Sequence, residues 1–343
     1  MSRIPQPTLS DAAPILELID AFRRSKAMFV GVSLRIFDRL AEEPATVARL
    51  AAELKMNGDA LERLLDTLVS MFLLRKEGSL YRNTPTAGTF LVATSPHSLR
   101  GYIVYSNDIL FPMWNNLEDA IREGTSRWQQ TFNLAGPLFS SFFQTEDSMR
   151  VFLLGMHGLG MLGSPVVAEA FDFSRFRTAC DLGGATGHLV STLLQRYPAM
   201  QGILFELPRV LEFARQRLAA DPALPRLTIT AGDFFEDALP DADLYLLGRI
   251  LHDWTAPKIQ LLLARVYQAL PPGGGLLIVE KLLLDDHTGP TSANLQSMNM
   301  LVCTEGKERS LAEYTKMLQA AGFTRVEGKR TSAPVDAILA IKE

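Results

Sequence analysis

The chain has 343 residues, 47% of them apolar, which is too much for one simple core and enough for two. Its net charge of -4 argues against nucleic acid, whose phosphates favour basic surfaces. No apolar run approaches the roughly 20 residues that span a bilayer, so no membrane partner is expected.

The first residues, Met1 to Pro7, lack the apolar stretch of a secretion signal. Two distant cysteines, Cys180 and Cys303, make no disulfide framework, and a cytoplasmic setting is expected. No CxxC pair or HExxH motif is present and the five histidines are scattered, so no metal is expected.

From Pro14 to about Phe90 the pattern is helical. Ile15, Leu18, Ile19 and Phe22 recur at three- and four-residue spacing and share one helix face. A short helix from Thr46 precedes a break at Asn57-Gly58, and Asp59 is expected to cap a helix over Ala60 to Leu74. Glu77-Gly78 then forms a turn before Leu80-Tyr81. Helix, turn, helix and small hairpin outline a winged helix. Residues 95 to 170 read as helical and carry Phe111, Trp114, Phe132, Phe139, Phe142 and Phe143. Such aromatics pack a core more often than they wall a pocket.

Beyond Phe176, strands and helices alternate. Strands are expected at Thr178 to Leu182, Ile203 to Glu206, Leu227 to Thr230, Leu244 to Leu247, Leu276 to Glu280 and Ala337 to Ile341. Helices are expected at Gly187 to Tyr197, Pro208 to Ala219, Pro257 to Leu270 and Leu311 to Ala321. Such alternation gives an α/β fold with a mostly parallel sheet covered on both faces, and ligands bind beyond the carboxyl ends of its strands. The expected divisions are 1–95, 96–170 and 171–343.

Three motifs carry chemistry. Asp181-Leu-Gly-Gly-Ala-Thr-Gly187 turns from strand to helix, and its glycines let a ligand approach the backbone. Its leading Asp181 suits a cationic or hydroxyl-rich ligand better than a pyrophosphate. Glu206 ends the next strand, where a carboxylate can accept both hydroxyls of a ribose. Asp233 is expected to end the third strand, where it could serve the adenine side. The second motif, Arg249 to Trp254, places His252 past the fourth strand, where an imidazole can take a proton from an attacking hydroxyl. A histidine capping the following helix is an equal reading of the tripeptide alone. The third is a pair of later carboxylates, Glu280 and Glu308. Either can accept the other imidazole proton, although Glu308 by itself reads as an exposed charge in a charged loop.

These motifs, in this order, resemble the plant-type small-molecule O-methyltransferases, in particular the acetylserotonin O-methyltransferase branch. The matching segments are DLGGATG, LFELP, AGDFFEDALPDADLYLLGRILHDW, PPGGGLLIVEKLL, SMNMLVCTEGKERS and DAILAIK, with LRIFDRLAEE and AIREGT nearer the start. The resemblance implies a class I methyltransferase domain, Rossmann-like with a seven-stranded, mostly parallel sheet. It also implies an N-terminal winged-helix dimerisation domain.

On that resemblance, Gly183, Glu206, Gly232, Asp233, Phe234 and Arg249 would hold S-adenosylmethionine. His252 would be the general base, positioned by Glu280 and Glu308. Met156, Asn299 and Met300 would line the pocket of a small aromatic hydroxylated substrate. The chain would be a homodimer, with side chains near Phe29 reaching the partner's pocket. Four positions depart from the pattern: Glu206 stands for the usual Asp, Ala185 for a middle glycine, and Phe143 and Gly160 for a Tyr and a Trp near the cofactor. With Gly155, Gly158 and Gly163 close by, the stretch around Gly160 is expected to be bent or mobile.

Two other functions fit parts of the pattern. One is a winged-helix regulator, opposed by Asp59, Glu62 and Asp66 against Arg63 alone on its reading helix. The other is the same fold with lost or changed chemistry.

Overall fold

The computed structural model describes residues 9–136, 139, 143 and 145–343. Phe142 and the segment Met1 to Pro7 lie outside these. Chain contacts divide the molecule into two units, one ending at Asn107 and the other starting at Asp108.

The first unit opens with a long helix, Leu9–Ser33, followed by Ile36–Glu42, Val47–Leu54 and Gly58–Ser70. Strands β1 (Ala45–Thr46), β2 (Leu74–Glu77) and β3 (Leu80–Asn83) form a small sheet in the order β1-β3-β2. Leu50, Leu61, Leu65 and Leu68 recur at helical spacing and bury one face of each helix against Phe37, Leu74 and Tyr81. The helix after the break is capped by Asn57, whose side chain accepts from the Ala60 N–H, and Asp59 lies inside the first turn. That helix stops at Ser70, short of the expected Leu74. Phe72 turns left-handed with φ 58°, and Leu74 is drawn into β2. Gly78 makes the hairpin turn at φ 61°.

The second unit holds a seven-stranded sheet in the order β6-β5-β4-β7-β8-β10-β9. Its strands are β4 (Thr178–Leu182), β5 (Gln201–Glu206), β6 (Leu227–Ala231), β7 (Leu244–Gly248), β8 (Gly275–Glu280), β9 (Arg325–Lys329) and β10 (Asp336–Ile341). The pairs from β6 through β8 are parallel, and β10 runs antiparallel to both β8 and β9. Two apolar clusters cover the two faces: one gathers Leu189, Val190, Leu204 and Leu246, the other Leu182, Tyr245, Leu262 and Ile278. Both faces of β7 and β8 are buried, which is why they read as continuous apolar runs.

Strand order reverses at β4, between β5 and β7. This topological switch opens a crevice at the carboxyl ends of β4 and β7. The glycine turn and the Arg249–Trp254 segment both leave the sheet there.

The glycine-rich stretch lies within a continuous helix. Glu146–Ala168 is one helix of 23 residues, opened by a capping box at Thr145 and Ser148. Its glycines allow close contact: a Cβ on Gly163 would lie 2.7 Å from Val335, and Gly155, Gly158 and Gly160 are buried. By length and composition this helix could cross a membrane, which no single apolar run announced. Here it packs along the His188–Arg196 helix, which itself lies against β4 and β5.

Candidate active site

The glycine turn rises from β4 and enters the His188–Arg196 helix. Gly183 has φ 68° and donates to the Phe205 carbonyl at 2.8 Å. A Cβ on it would lie 2.9 Å from Ile250 and 3.0 Å from Phe234, so the turn, the segment after β6 and the segment after β7 converge. Ala185 adopts φ 51°, a left-handed position that costs a non-glycine residue roughly 1–2 kcal/mol. Alanine in place of the middle glycine is therefore a strained substitution.

Asp181 does not face the crevice. It is buried beneath the turn, where a Cβ on Gly184 would lie 2.5 Å from its carboxyl carbon. It accepts from the Val190 N–H at 3.3 Å, and burial lifts its pKa to about 7. Its task is to support the turn and the helix start, which corrects its reading as a ligand-facing group.

Glu206 sits at the end of β5, buried, with its pKa raised by burial. One carboxylate oxygen accepts from Ala185 N at 2.9 Å and the other from Leu207 N at 2.7 Å. Each oxygen keeps a further lone pair for a hydroxyl. Gly232 follows β6 and donates to the Glu206 carbonyl; a Cβ there would lie 2.1 Å from the Phe205 ring. Asp233 lies two residues past β6 and not at its end. Its carboxylate accepts from Phe235 N at 2.8 Å, and its own N–H donates to Asp237.

Phe234 begins a run of aromatic rings. It meets Phe235 at 4.8 Å, Phe235 meets Trp254 at 5.1 Å, and Phe139 lies 5.7 Å from Trp254 and 5.6 Å from Phe143. Phe139 and Phe143 thus belong to this wall, while Phe111, Trp114 and Phe132 are half-buried elsewhere in the unit.

Arg249 follows β7 with φ 58°, and its Nε is buried without a partner. A buried, open donor on a half-buried cationic side chain fits a carboxylate-bearing ligand.

Next comes the short turn Leu251–Asp253, which carries His252. The helix after it, Ala256–Ala269, has Thr255 at its N-cap, so His252 does not cap it. Instead His252 is buried beside two glutamates. Its Nδ1 is hydrogen-bonded to Glu308 Oε1 at 2.6 Å, and Glu280 Oε2 lies 3.2 Å from the same nitrogen. Glu280 Oε1 accepts backbone N–H groups from Ile250, Leu251 and His252 at 3.0, 2.9 and 3.4 Å. So Glu280 holds the turn and Glu308 holds the ring. Glu308 is 1% exposed, which corrects its reading as a surface charge. Burial raises Glu280 to about 7 and Glu308 to about 8.

Although no metal motif is present, the ligand atoms of His252, Glu280 and Glu308 lie within 4.8 Å of one another. Nδ1 and Glu280 Oε1 are already committed to hydrogen bonds.

Three supports escaped the sequence reading. Gly306 lets the 304–309 loop lie on the histidine turn, since a Cβ there would lie 2.2 Å from the His252 carbonyl oxygen. Arg309 is buried and donates to the carbonyls of Leu251, Lys307 and Trp254 at 3.4, 2.9 and 3.3 Å. Asp253 is held at about 7 by burial, with Oδ1 3.8 Å from His252 Nε2. Its adjacency to His252 was the available signal; the other two depend on backbone approach, which sequence does not display.

Asn299 and Met300 lie on the Thr291–Cys303 helix, which packs on the histidine turn. Trp114 Nε1 donates to Asn299 Oδ1 at 2.9 Å, and Trp128 Nε1 donates to the Cys303 carbonyl at 2.7 Å. Met156 stands half-buried on the Glu146–Ala168 helix.

Sheet order, glycine turn and acidic strand ends define a class I methyltransferase fold. The O-methyltransferase domain family matches residues 114–324, and the O-methyltransferase dimerisation domain matches residues 16–93. The chain is 39% identical to acetylserotonin O-methyltransferase of Gallus gallus over 96% of each chain. It is 42% identical to a probable bifunctional dTTP/UTP pyrophosphatase/methyltransferase protein of Homo sapiens, over 96% of this chain but only 53% of that longer protein. Human N-acetylserotonin methyltransferase in complex with S-adenosylmethionine superposes with a TM-score of 0.94 at 36% identity, covering 99% of both chains. PigF with S-adenosylhomocysteine gives 0.89 at 28% identity, covering 98% of this chain and 100% of that one. The chain belongs to the S-adenosylmethionine-dependent O-methyltransferase family.

Proposed function

We propose that this enzyme methylates a hydroxyl of a small aromatic metabolite, with His252 as general base. The observation that supports the proposal is the 2.6 Å hydrogen bond between His252 Nδ1 and buried Glu308. With Glu308 ionised, this bond would keep the ring proton on Nδ1 and leave Nε2 as the acceptor.

S-adenosylmethionine supplies an electrophilic methyl on a sulfonium, already a good leaving group. Arg249 would hold its carboxylate and Glu206 its ribose hydroxyls. Gly183 and Gly232 would give it room, with Asp233 and Phe234 on the adenine side. The protein then has two tasks, to orient the acceptor and to remove its proton. A phenol near pKa 10 is hard to ionise outright, so His252 would take the proton as the oxygen attacks the methyl. The resulting imidazolium would be stabilised by Glu308 and Glu280.

Asn299 has its amide oxygen engaged by Trp114, which leaves its N–H donors for the acceptor. Met300, and Met156 on its own helix, would give apolar contact, and the aromatic run from Phe234 to Phe143 suits a flat ring. Similarity to the acetylserotonin enzymes makes N-acetylserotonin a natural first candidate. Phe143 and Gly160 depart from that branch and make a different ring equally eligible. A cytoplasmic homodimer completes the reading.

The test is methyl transfer from labelled S-adenosylmethionine to a panel of phenols, indoles and polyketide rings, N-acetylserotonin included. Transfer to the hydroxyl of one ring class is expected, and EDTA should leave the rate unchanged. Cofactor binding with methylation only of nitrogen or carbon would overturn the proposal.

A further inference from the structure

Gly160 lies four residues past Met156 on the Glu146–Ala168 helix. A Cβ built on it would sit 2.3 Å from both Cε1 and Nε2 of His188, and 2.6 Å from Cδ2. No side chain can stand at 160 while that ring keeps its place. The notch in the helix is therefore filled from the other side. His188 directly follows Gly187, the last residue of the glycine turn, and is the first residue of the next helix. Its Nδ1 lies 2.8 Å from Ser164 Oγ, one turn beyond Gly160, so the ring is held at two successive turns of the same helix.

A second histidine repeats the connection. His157 Nε2 lies 2.8 Å from Arg217 Nη2, and a guanidinium can only donate. The proton of His157 is therefore on Nδ1, which donates to Thr186 Oγ1 at 2.9 Å. The two rings meet edge to face at 6.2 Å. Burial holds both neutral, His188 at about 3 and His157 at about 4. Thr186 and His188, the residues on either side of Gly187, are thus both fastened to one helix. A cavity of about 340 Å³ opens beside them, lined in part by His157, Thr186, His188 and Arg217.

We propose that His188, seated in the notch at Gly160, is a positioning residue that clamps the glycine turn to the Glu146–Ala168 helix and so sets the cofactor site in register with the acceptor side. The helix that carries Met156 and the turn that carries Gly183 then move as one body. This rests on the cofactor and acceptor assignments above.

A double-mutant cycle with Gly160→Leu and His188→Ala tests the clamp, read by calorimetric binding of S-adenosylhomocysteine to protein whose folding is checked by circular dichroism. Gly160→Leu evicts the ring and should weaken binding about tenfold or more. His188→Ala should weaken it about threefold. In the double variant the leucine occupies the vacated space, so affinity should return to within about threefold of His188→Ala alone. Additive losses, or a Gly160→Leu variant that binds as the parent does, would overturn the clamp. So would a fall in melting temperature with unchanged affinity, which marks packing alone. If Gly160→Leu does not fold, Gly160→Ala, whose Cβ already collides with the ring, completes the same cycle with the same criteria. Failure of the parent protein itself to bind would refute the cofactor assignment; binding by the parent with an additive cycle refutes only the clamp.

Discussion

Three acids lie against His252, Glu280 and Glu308 buried and Asp253 half-buried, and their charge state bears on stability. Glu280 and Asp253 are lifted to about 7 and Glu308 to about 8, chiefly by burial. An acid whose folded pKa exceeds its unfolded value stabilises the fold at low pH and loses that contribution as pH rises through the folded value. His157 and His188 have lowered values, so they act oppositely, but only below their unfolded pKa near 6.5. Above pH 7 the acids prevail. The melting temperature should therefore fall from pH 7 to 9, and Glu308→Gln should flatten that fall. A scan in which both proteins are flat, or rise, would refute the assignment. On the proposed mechanism Glu308→Gln should also slow methyl transfer at least about tenfold, because an amide would not stabilise an imidazolium at His252 as a carboxylate would; steady-state kinetics at saturating cofactor would check this.

At the scale of elements, the turn that carries His252 depends on a loop distant in sequence. Gly306 admits the loop against the His252 and Asp253 backbone, and Arg309 ties it to three carbonyls. A Cβ at 306 meets backbone, which cannot yield as a side-chain tip can. Gly306→Ala should therefore destabilise the protein by about 1–3 kcal/mol in denaturant titration and lower kcat. An unchanged unfolding midpoint with full activity would contradict this.

The same contrast explains what could be read in advance. Strands β4, β5, β7, β8 and β10 are largely apolar runs between turn residues and β6 alternates apolar with polar residues, so their composition announces them. Strand β9, Arg325–Lys329, alternates exposure at the sheet edge and carries Gly328, which weakens any strand signal. The Thr291–Cys303 helix mixes polar and apolar residues without a clean face, because the short helices around Trp114 and Trp128 pack on it. His252, Glu280 and Glu308 were visible as residue types at strand ends or in a charged loop. Their meeting was not, since Glu308 lies 56 positions from His252 and is buried only by tertiary packing. The notch at Gly160 was visible as a missing side chain, but not the imidazole that fills it.

For the whole molecule, the most informative surface is the face of Leu9–Ser33. Ile15, Leu18, Ile19 and Phe22 lie along one face, each between 50% and 72% exposed within the single chain. Apolar side chains gathered this way mark an interface, and the match to a dimerisation domain begins at residue 16. Sedimentation analysis should give twice the chain mass of 37.9 kDa. Leu18→Glu with Phe22→Glu should shift the protein toward monomer, whereas an unchanged dimer would place the interface elsewhere. The acids on Gly58–Ser70 tell against a regulator. Lys76 on the hairpin is paired with Asp66 at 2.9 Å, and Arg63 with Asp59 at 2.8 Å, so these cations are already neutralised.

On the proposed function, His252 removes the proton from an acceptor hydroxyl held beside S-adenosylmethionine. The most direct test is single-turnover methyl transfer from labelled cofactor by the parent protein and by His252→Ala, with S-adenosylhomocysteine affinity measured in parallel. A methyl ether is expected from the parent and a loss of about 100- to 10,000-fold in the variant, with affinity for the cofactor product nearly unchanged. Transfer by His252→Ala at the parent's rate would contradict the proposal.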